Sequence, residues 1–163
     1  QTDLRKYNNF LIKPLNLSHT RIIPPPWKEG EDARKWQLSD FNAQFLRSTY
    51  FTEFTLGLEE SGKFNVVQNP VPGTLELEIS LISLSPFAKA GEKVLTKGYG
   101  ELSFEASLRD ASTGELLTLF EGVQQVGEDY QENTVFNKGH NFSVHFKTWG
   151  QNVSRRMTAI HDM

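Results

Sequence analysis

"GYGELSFEASLRDASTGELLTLFEGVQQVG", residues Gly98 to Gly127, decides the fold. Leu102, Phe104, Ala106 and Leu108 alternate with Glu101, Ser103, Glu105, Ser107 and Arg109. A period of two is the signature of a strand with one buried face. "DASTG", Asp110 to Gly114, is turn chemistry: an Asp side chain can bond its own backbone two residues on, and Gly accepts positive φ. Glu115 to Gly127 is the return strand, so the whole reads as a β-hairpin with a longer loop. We expect Leu102, Phe104, Ala106 and Leu108 to be buried and the stretch to be scaffold rather than chemistry.

Upstream, "TLELEISLISL" (Thr74 to Leu84) alternates in the same way. Leu75, Leu77, Ile79 and Leu81 point one way, Glu76, Glu78 and Ser80 the other. The break at Ile82, with resumption at Leu84, predicts a bulge or a strand end covered on both sides. "KFNVVQ" before it is a short strand closed by the turn "NPVPG". Leu38 to Gly62 carries a helix-start signature, with Ser39 as cap and Asp40 at the positive end of the dipole. Phe41, Phe45, Leu46, Phe54 and Leu58 are its expected buried face, Gly62 its stop, and Gly57 an unexplained weak point. Tyr7 to Leu17 reads as a strand ended by Pro14. Downstream, "EDYQENTVFNKGHN" (Glu128 to Asn141) is expected to be loop. Phe142, Phe146, Trp149, Val153 and Met157 then recur at steps of three and four, as on a helix with a narrow apolar stripe.

The order is β–α–β–β–β–β–α in a single domain, 1–163. We expect an α+β, two-layer sandwich: a mixed, mostly antiparallel sheet of about five strands with two helices packed on one face. The first β–α–β should be a parallel unit and the later strands an antiparallel meander. The other sheet face, with Glu76, Glu78, Glu101, Glu105 and Arg109, is then solvated or covered by a partner.

Composition bounds the function. The chain has 163 residues, a net charge of −3, 37% hydrophobic and 23% charged residues, and no Cys. The absence of Cys excludes disulfide scaffolds, thiolate metal sites and Cys nucleophiles. The charge argues against nucleic acid as a partner. No apolar run reaches the ~20 residues of a membrane-spanning helix. The chain opens at Gln1 without Met, which leads us to expect a form whose leader has been removed.

Catalytic patterns are sparse. Glu101 and Glu105 on one strand face lie about 13 Å apart, too far for the paired carboxylates of a glycosidase. A carboxylate pair would have to form across strands, for example with Glu76 or Glu78. His19, His140, His145 and His161 have no metal-ligand spacing. "KGYGE" matches neither phosphate-loop pattern, and no GxSxG elbow occurs. We expect no enzyme activity, no metal and no cofactor. Three N-x-S triplets, at Asn16, Asn141 and Asn152, are read as chance.

One recognition feature remains. Pro24, Pro25, Pro26 and Trp27 lie in a proline-rich loop of about 18–37. A stiff segment loses little entropy on docking, and Trp offers large contact area. Trp27 either docks a partner or pins the loop onto its own domain.

The order of these motifs resembles the bacterial lipoprotein family catalogued as domain of unknown function 3313. The resemblance rests on Val66-Val67, Pro72-Gly73, the alternating Leu75 to Leu81, Glu105 with Asp110, Thr113, Gly114 and Glu115, and the late helix "FKTWGQNVSRRM" with Trp149. It covers nearly the whole chain, though "EDYQENTVFNKGH" looks particular to this sequence. The resemblance implies an export signal, a lipidated Cys ahead of Gln1, and a place on the periplasmic face of the outer membrane, with membrane contact only through that anchor. It implies no defined catalytic residues. The expected role is binding of envelope proteins or other macromolecules. The alternative is a small-molecule carrier or sensor with its pocket between sheet and helices.

Overall fold

The computed structural model describes residues 3–28 and 37–163. The alternating leucines build the middle of a sheet. β1 (Asn9–Ile12), β2 (Arg21–Ile22), β3 (Asn65–Val66), β4 (Thr74–Pro86), β6 (Gly100–Asp110) and β7 (Leu116–Val126) form one mixed sheet. Its path is β3-β1-β4-β6-β7, with β2 also paired to β4. β1 runs parallel to both β3 and β4, as the expected parallel unit requires. β4, β6 and β7 are the antiparallel meander. β5 (Leu95–Lys97) and β8 (Tyr130–Glu132) make a separate two-stranded arm. The fold is therefore the expected α+β two-layer sandwich, with three short strands added.

The register explains the broken alternation. Leu81 faces Phe104 and Ser83 faces Ser103, so Ile82 is the extra residue of a bulge in β4. The bulge restores Leu84 to the buried face, opposite Leu102. Leu75, Leu77, Ile79 and Leu81 are buried, as are Leu102, Ala106 and Leu108. Phe104 is half-buried and lies against the core on the ring of Trp149, with centroids 5.1 Å apart. The Asp110 to Gly114 turn forms as its residues demand. Asp110 Oδ1 accepts from the Ser112 and Thr113 amides, and Gly114 takes φ +78°.

Two helices cover the leucine face. α1 (Asp40–Glu59) starts at Ser39, whose Oγ accepts from the Asn42 amide. α2 (Val135–His161) starts at Thr134, which caps Asn137. Phe142, Phe146, Trp149 and Met157 are buried, with Val153 packed at their edge. The helices run parallel: Phe45 meets Gly139, Phe54 meets Gly150, and Ser61 Oγ lies 3.1 Å from Ser154 Oγ. Gly57 and Gly150 set their separation. A Cβ on Gly57 would stand 2.2 Å from the Lys147 carbonyl oxygen, and one on Gly150 would stand 2.2 Å from that of Phe54. Only glycine allows so close an approach of two backbones.

Four expectations need correction. Phe41 is 75% exposed and Phe45 is also exposed; the buried face is Leu46, Tyr50, Phe54, Gly57 and Leu58. Phe41 obeys the four-residue step but stands in solvent, and Phe45 lies at the edge of the layer, its ring against Gly139 of α2 and lining a slot with Leu84, so the fully covered stripe is not the one these two begin. The strand expected over Tyr7 to Leu17 shrinks to Asn9–Ile12, because beyond Pro14 the continuous ladder with β4 gives way to isolated ties, the Asn16 to Ser80 bridge and the Thr20 hydroxyl on the Leu81 carbonyl, until β2. Glu128 to Asn141 is not all loop: it holds β8 and the first two turns of α2, which the Thr134 cap starts early. The proline-rich loop holds β2 and a 3-10 turn at Pro26–Lys28, and residues 29–36 of it lie outside the described residues.

Candidate functional site

The proline segment is held in place by its flanks. Ahead of it, the Ile23 amide donates to the Leu84 carbonyl at 2.8 Å, continuing β2 along β4. Pro25 is buried, and its carbonyl accepts from the Lys28 amide at 2.8 Å, closing the 3-10 turn. The three prolines are therefore not one polyproline run, since Pro26 opens a helical turn. Behind it, Lys28 Nζ donates to Glu92 Oε2 at 2.8 Å. The Lys28 ammonium, then the Lys89 amide, hold the Glu92 carboxyl below its ordinary range.

This clamp leaves the Trp27 side chain 66% exposed. Trp27 shares a surface depression of about 370 Å³ with Phe87, Val94, Leu95 and Thr96. Its far wall is the β5–β8 arm. Leu95 faces Glu132 and Lys97 faces Tyr130, so these four side chains share the outward face of the arm. Leu95 is 69% and Tyr130 77% exposed. The arm is braced from below: Asn133 Nδ2 donates to the Lys89 and Glu92 carbonyls at 2.7 and 2.8 Å. The same Glu92 segment thus anchors both Trp27 and the arm. Exposed Trp and Tyr are the residue types that carry most energy where interfaces form, and a braced backbone holds both rings in place here.

Sequence reasoning named Trp27 but missed Leu95 and Tyr130. The β-formers Val94, Leu95 and Thr96 were a signal, but three residues are too short for periodicity to register. Phe41, Val135 and Phe136 are also exposed near this end, where both helices begin.

The other candidate groups stay apart or stay ordinary. Glu105 lies directly opposite Glu121 of β7, a carboxylate pair that needed the register to be seen. Both are exposed on the open sheet face, which provides no enclosure for acid–base chemistry. Glu76 and Glu78 face Arg109 and Ser107 instead. Among the described residues no group of three His, Cys, Asp or Glu could hold a metal ion. His145 is held down to about 4 by burial, with Nε2 2.9 Å from Gln124 Oε1; that oxygen also accepts from Trp149 Nε1 at 2.6 Å. His161 meets the Tyr7 carbonyl. These are structural ties between α2 and the rest. The slot between sheet and helices, lined by Leu38, Phe45, Leu46, Leu84, Tyr99 and Phe142, holds about 30 Å³. Ligand pockets measure about 300–1,000 Å³.

Residues 1–153 match the family described as Protein of unknown function (DUF3313), and the chain belongs to that family. No curated protein matches the sequence. Among solved structures, the chain is similar to protein XCC0632 from Xanthomonas campestris, of family DUF330. The two are 13% identical over 96% of this chain and 86% of that one, with a TM-score of 0.53, a likeness of fold. Weaker likenesses link it to a minor lipoprotein from Acinetobacter baumannii (8% identity, 94% of each chain, TM-score 0.39) and to lipoprotein GNA1162 from Neisseria meningitidis (12% identity, 89% and 97%, TM-score 0.35).

Proposed function

We propose that this chain is a non-enzymatic, lipid-anchored domain of the bacterial cell envelope, held at the periplasmic face of the outer membrane, that binds other envelope macromolecules through its Trp27 end. The observation that carries the binding role is Trp27: two-thirds exposed, yet mounted on a backbone clamped by Lys28 and Glu92. A tryptophan that pinned its own loop would bury its ring. Membership of this family, which the sequence motifs led us to read as one of bacterial lipoproteins, supports the envelope setting.

The geometry suits such an arrangement. Tyr7 donates to Asp110 at 2.6 Å and its carbonyl meets His161, so the N-terminal segment lies beside the β6–β7 turn and the end of α2. The Trp27 depression lies at the other end of β4, a strand about 40 Å long. An anchor ahead of Gln1 would therefore hold one end to the membrane and present the Trp27 end to the periplasm. The carrier alternative finds little support, since the interior slot has room for about one water.

The test is Trp27→Ala beside the unaltered chain, with capture from an envelope extract and thermal melting measured on the same preparations. Docking requires that capture falls while the melting temperature hardly moves. Normal capture by the variant rules the docking role out. A fall in capture that only tracks a fall in folded protein makes Trp27 a loop anchor.

A further inference from the structure

We propose that a polar notch between the ends of α1 and α2 binds the phosphate of a lipid headgroup and gives the domain a membrane contact of its own. The inference rests on the anchored orientation proposed above. The notch measures about 620 Å³. Its wall on α2 is the stripe Gln151, Ser154, Arg155 and Thr158, whose spacing keeps all four on one helix face. Its other wall is the turn that leaves α1, with Ser61 and Lys63.

Donors outnumber acceptors in this notch. Ser61 Oγ and Ser154 Oγ lie 3.1 Å apart, and Ser61 Oγ also accepts from the Lys63 amide. A pair of hydroxyls has two protons and spends one on the shared bond. The other proton has no acceptor among the described residues. Among those residues, neither Lys63 nor Arg155 forms an ion pair, and Arg155 Nη2 donates to the neutral Asn152 Oδ1 at 2.8 Å. The one carboxylate on the notch, Glu60, accepts from Gln151 Nε2 at 2.8 Å. An ammonium, a guanidinium and a spare hydroxyl proton around one opening form the donor set that phosphate oxygens accept from. The carbonyl ends of both helices oppose an anion, and the two cations offset them.

Position selects the source of the phosphate. His161, three residues past Thr158, meets the Tyr7 carbonyl, so the notch lies at the end of the domain that the N-terminal segment reaches. An anchor ahead of Gln1 turns that end to the membrane. Cations there are drawn to anionic headgroups, and the pull fades within a Debye length. The chain as a whole carries a net charge of −3, so its attraction to an anionic bilayer has to be local.

Cosedimentation with vesicles of phosphatidylethanolamine, with and without phosphatidylglycerol, tests this. A Lys63→Gln, Arg155→Gln variant is compared with a Lys93→Gln, Lys97→Gln control, which removes the same charge from exposed positions elsewhere. Circular dichroism confirms that both fold. The expected result is binding to the phosphatidylglycerol vesicles that weakens at least about tenfold in the notch variant and hardly in the control. Inorganic phosphate should shift the amide resonances of Ser61, Ser154 and Arg155. Equal losses in both variants overturn the proposal, because net charge alone then explains the binding. No vesicle binding overturns the lipid source, even where inorganic phosphate shifts the notch. The anchored orientation fails on a different result: full-length protein that fractionates away from bacterial membranes, whatever the isolated chain does with vesicles.

Discussion

Gly150→Ala should destabilise this protein, although the same change in an exposed helix stabilises. Helix propensity favours Ala over Gly by up to about 1 kcal/mol. Against it stands the crossing of α1 and α2. The new Cβ would lie 2.2 Å from the Phe54 carbonyl oxygen and 2.8 Å from the Leu58 nitrogen, both backbone atoms that cannot rotate away. Relief needs the helices to part by roughly 1 Å, which forfeits up to about half of each dispersion contact along the seam. That seam includes Tyr50, Phe54, Phe146 and Trp149, whose rings meet at 5.3 to 6.5 Å. Overpacking of this kind costs about 1–3 kcal/mol, more where only backbone can yield, so a net loss of about 2 kcal/mol is expected. For a chain this long, that lowers the melting temperature by about 4–8 °C. Gly139→Ala is the internal control. Its Cβ would meet only the far end of the Phe45 ring at 3.0 Å, and that partly exposed side chain can give by a few tenths of an ångström where backbone cannot. It should be neutral or stabilise by up to about 1 kcal/mol. Urea titrations of both variants read the difference. A Gly150→Ala chain as stable as the unaltered one would refute the close-crossing argument.

Phe104→Ala removes a half-buried ring from Trp149 and should cost about 2–3 kcal/mol in the same titration; a loss below about 1 kcal/mol would contradict the facing of β6. Tyr50 has a fully buried hydroxyl with no hydrogen-bond partner among the described residues, so Tyr50→Phe should raise stability by about 1 kcal/mol, and a marked loss would show that the hydroxyl has a partner such as a bound water. Burial holds His145 to about 4 against an ordinary 6.5, so its neutral form favours folding. Its contribution is fully present above pH 6.5 and is lost as pH falls through about 4; His145→Gln should flatten the stability profile across that window, and an unchanged acid limb would refute this.

The fold was legible where one residue pattern had one explanation. The leucine alternation of β4, the break at Ile82 and the Asp110 turn follow from local chemistry alone, and each appears in place. Phe41 and Phe45 misled because periodicity says which residues share a stripe, not which of two stripes the sheet will cover. Gly57 read as a weak point because its reason lies ninety residues away, at Lys147 and Gln151. The site was half legible. Trp27 stood out beside its prolines, but the arm that completes its surroundings joins residues near 95 and 130, and only the pairing of β5 with β8 brings them together. The Glu105 to Glu121 pair was hidden for the same reason: it depends on a register.

Photo-crosslinking in living bacteria tests the binding role most directly. A photoreactive amino acid is placed in the full-length protein at position 27, at 95 on the arm, and at 156 near the far end of α2, where Arg156 is exposed. The docking account requires one discrete envelope adduct shared by positions 27 and 95 and absent at 156. No adduct at 27, or the same adduct from all three positions, would contradict it.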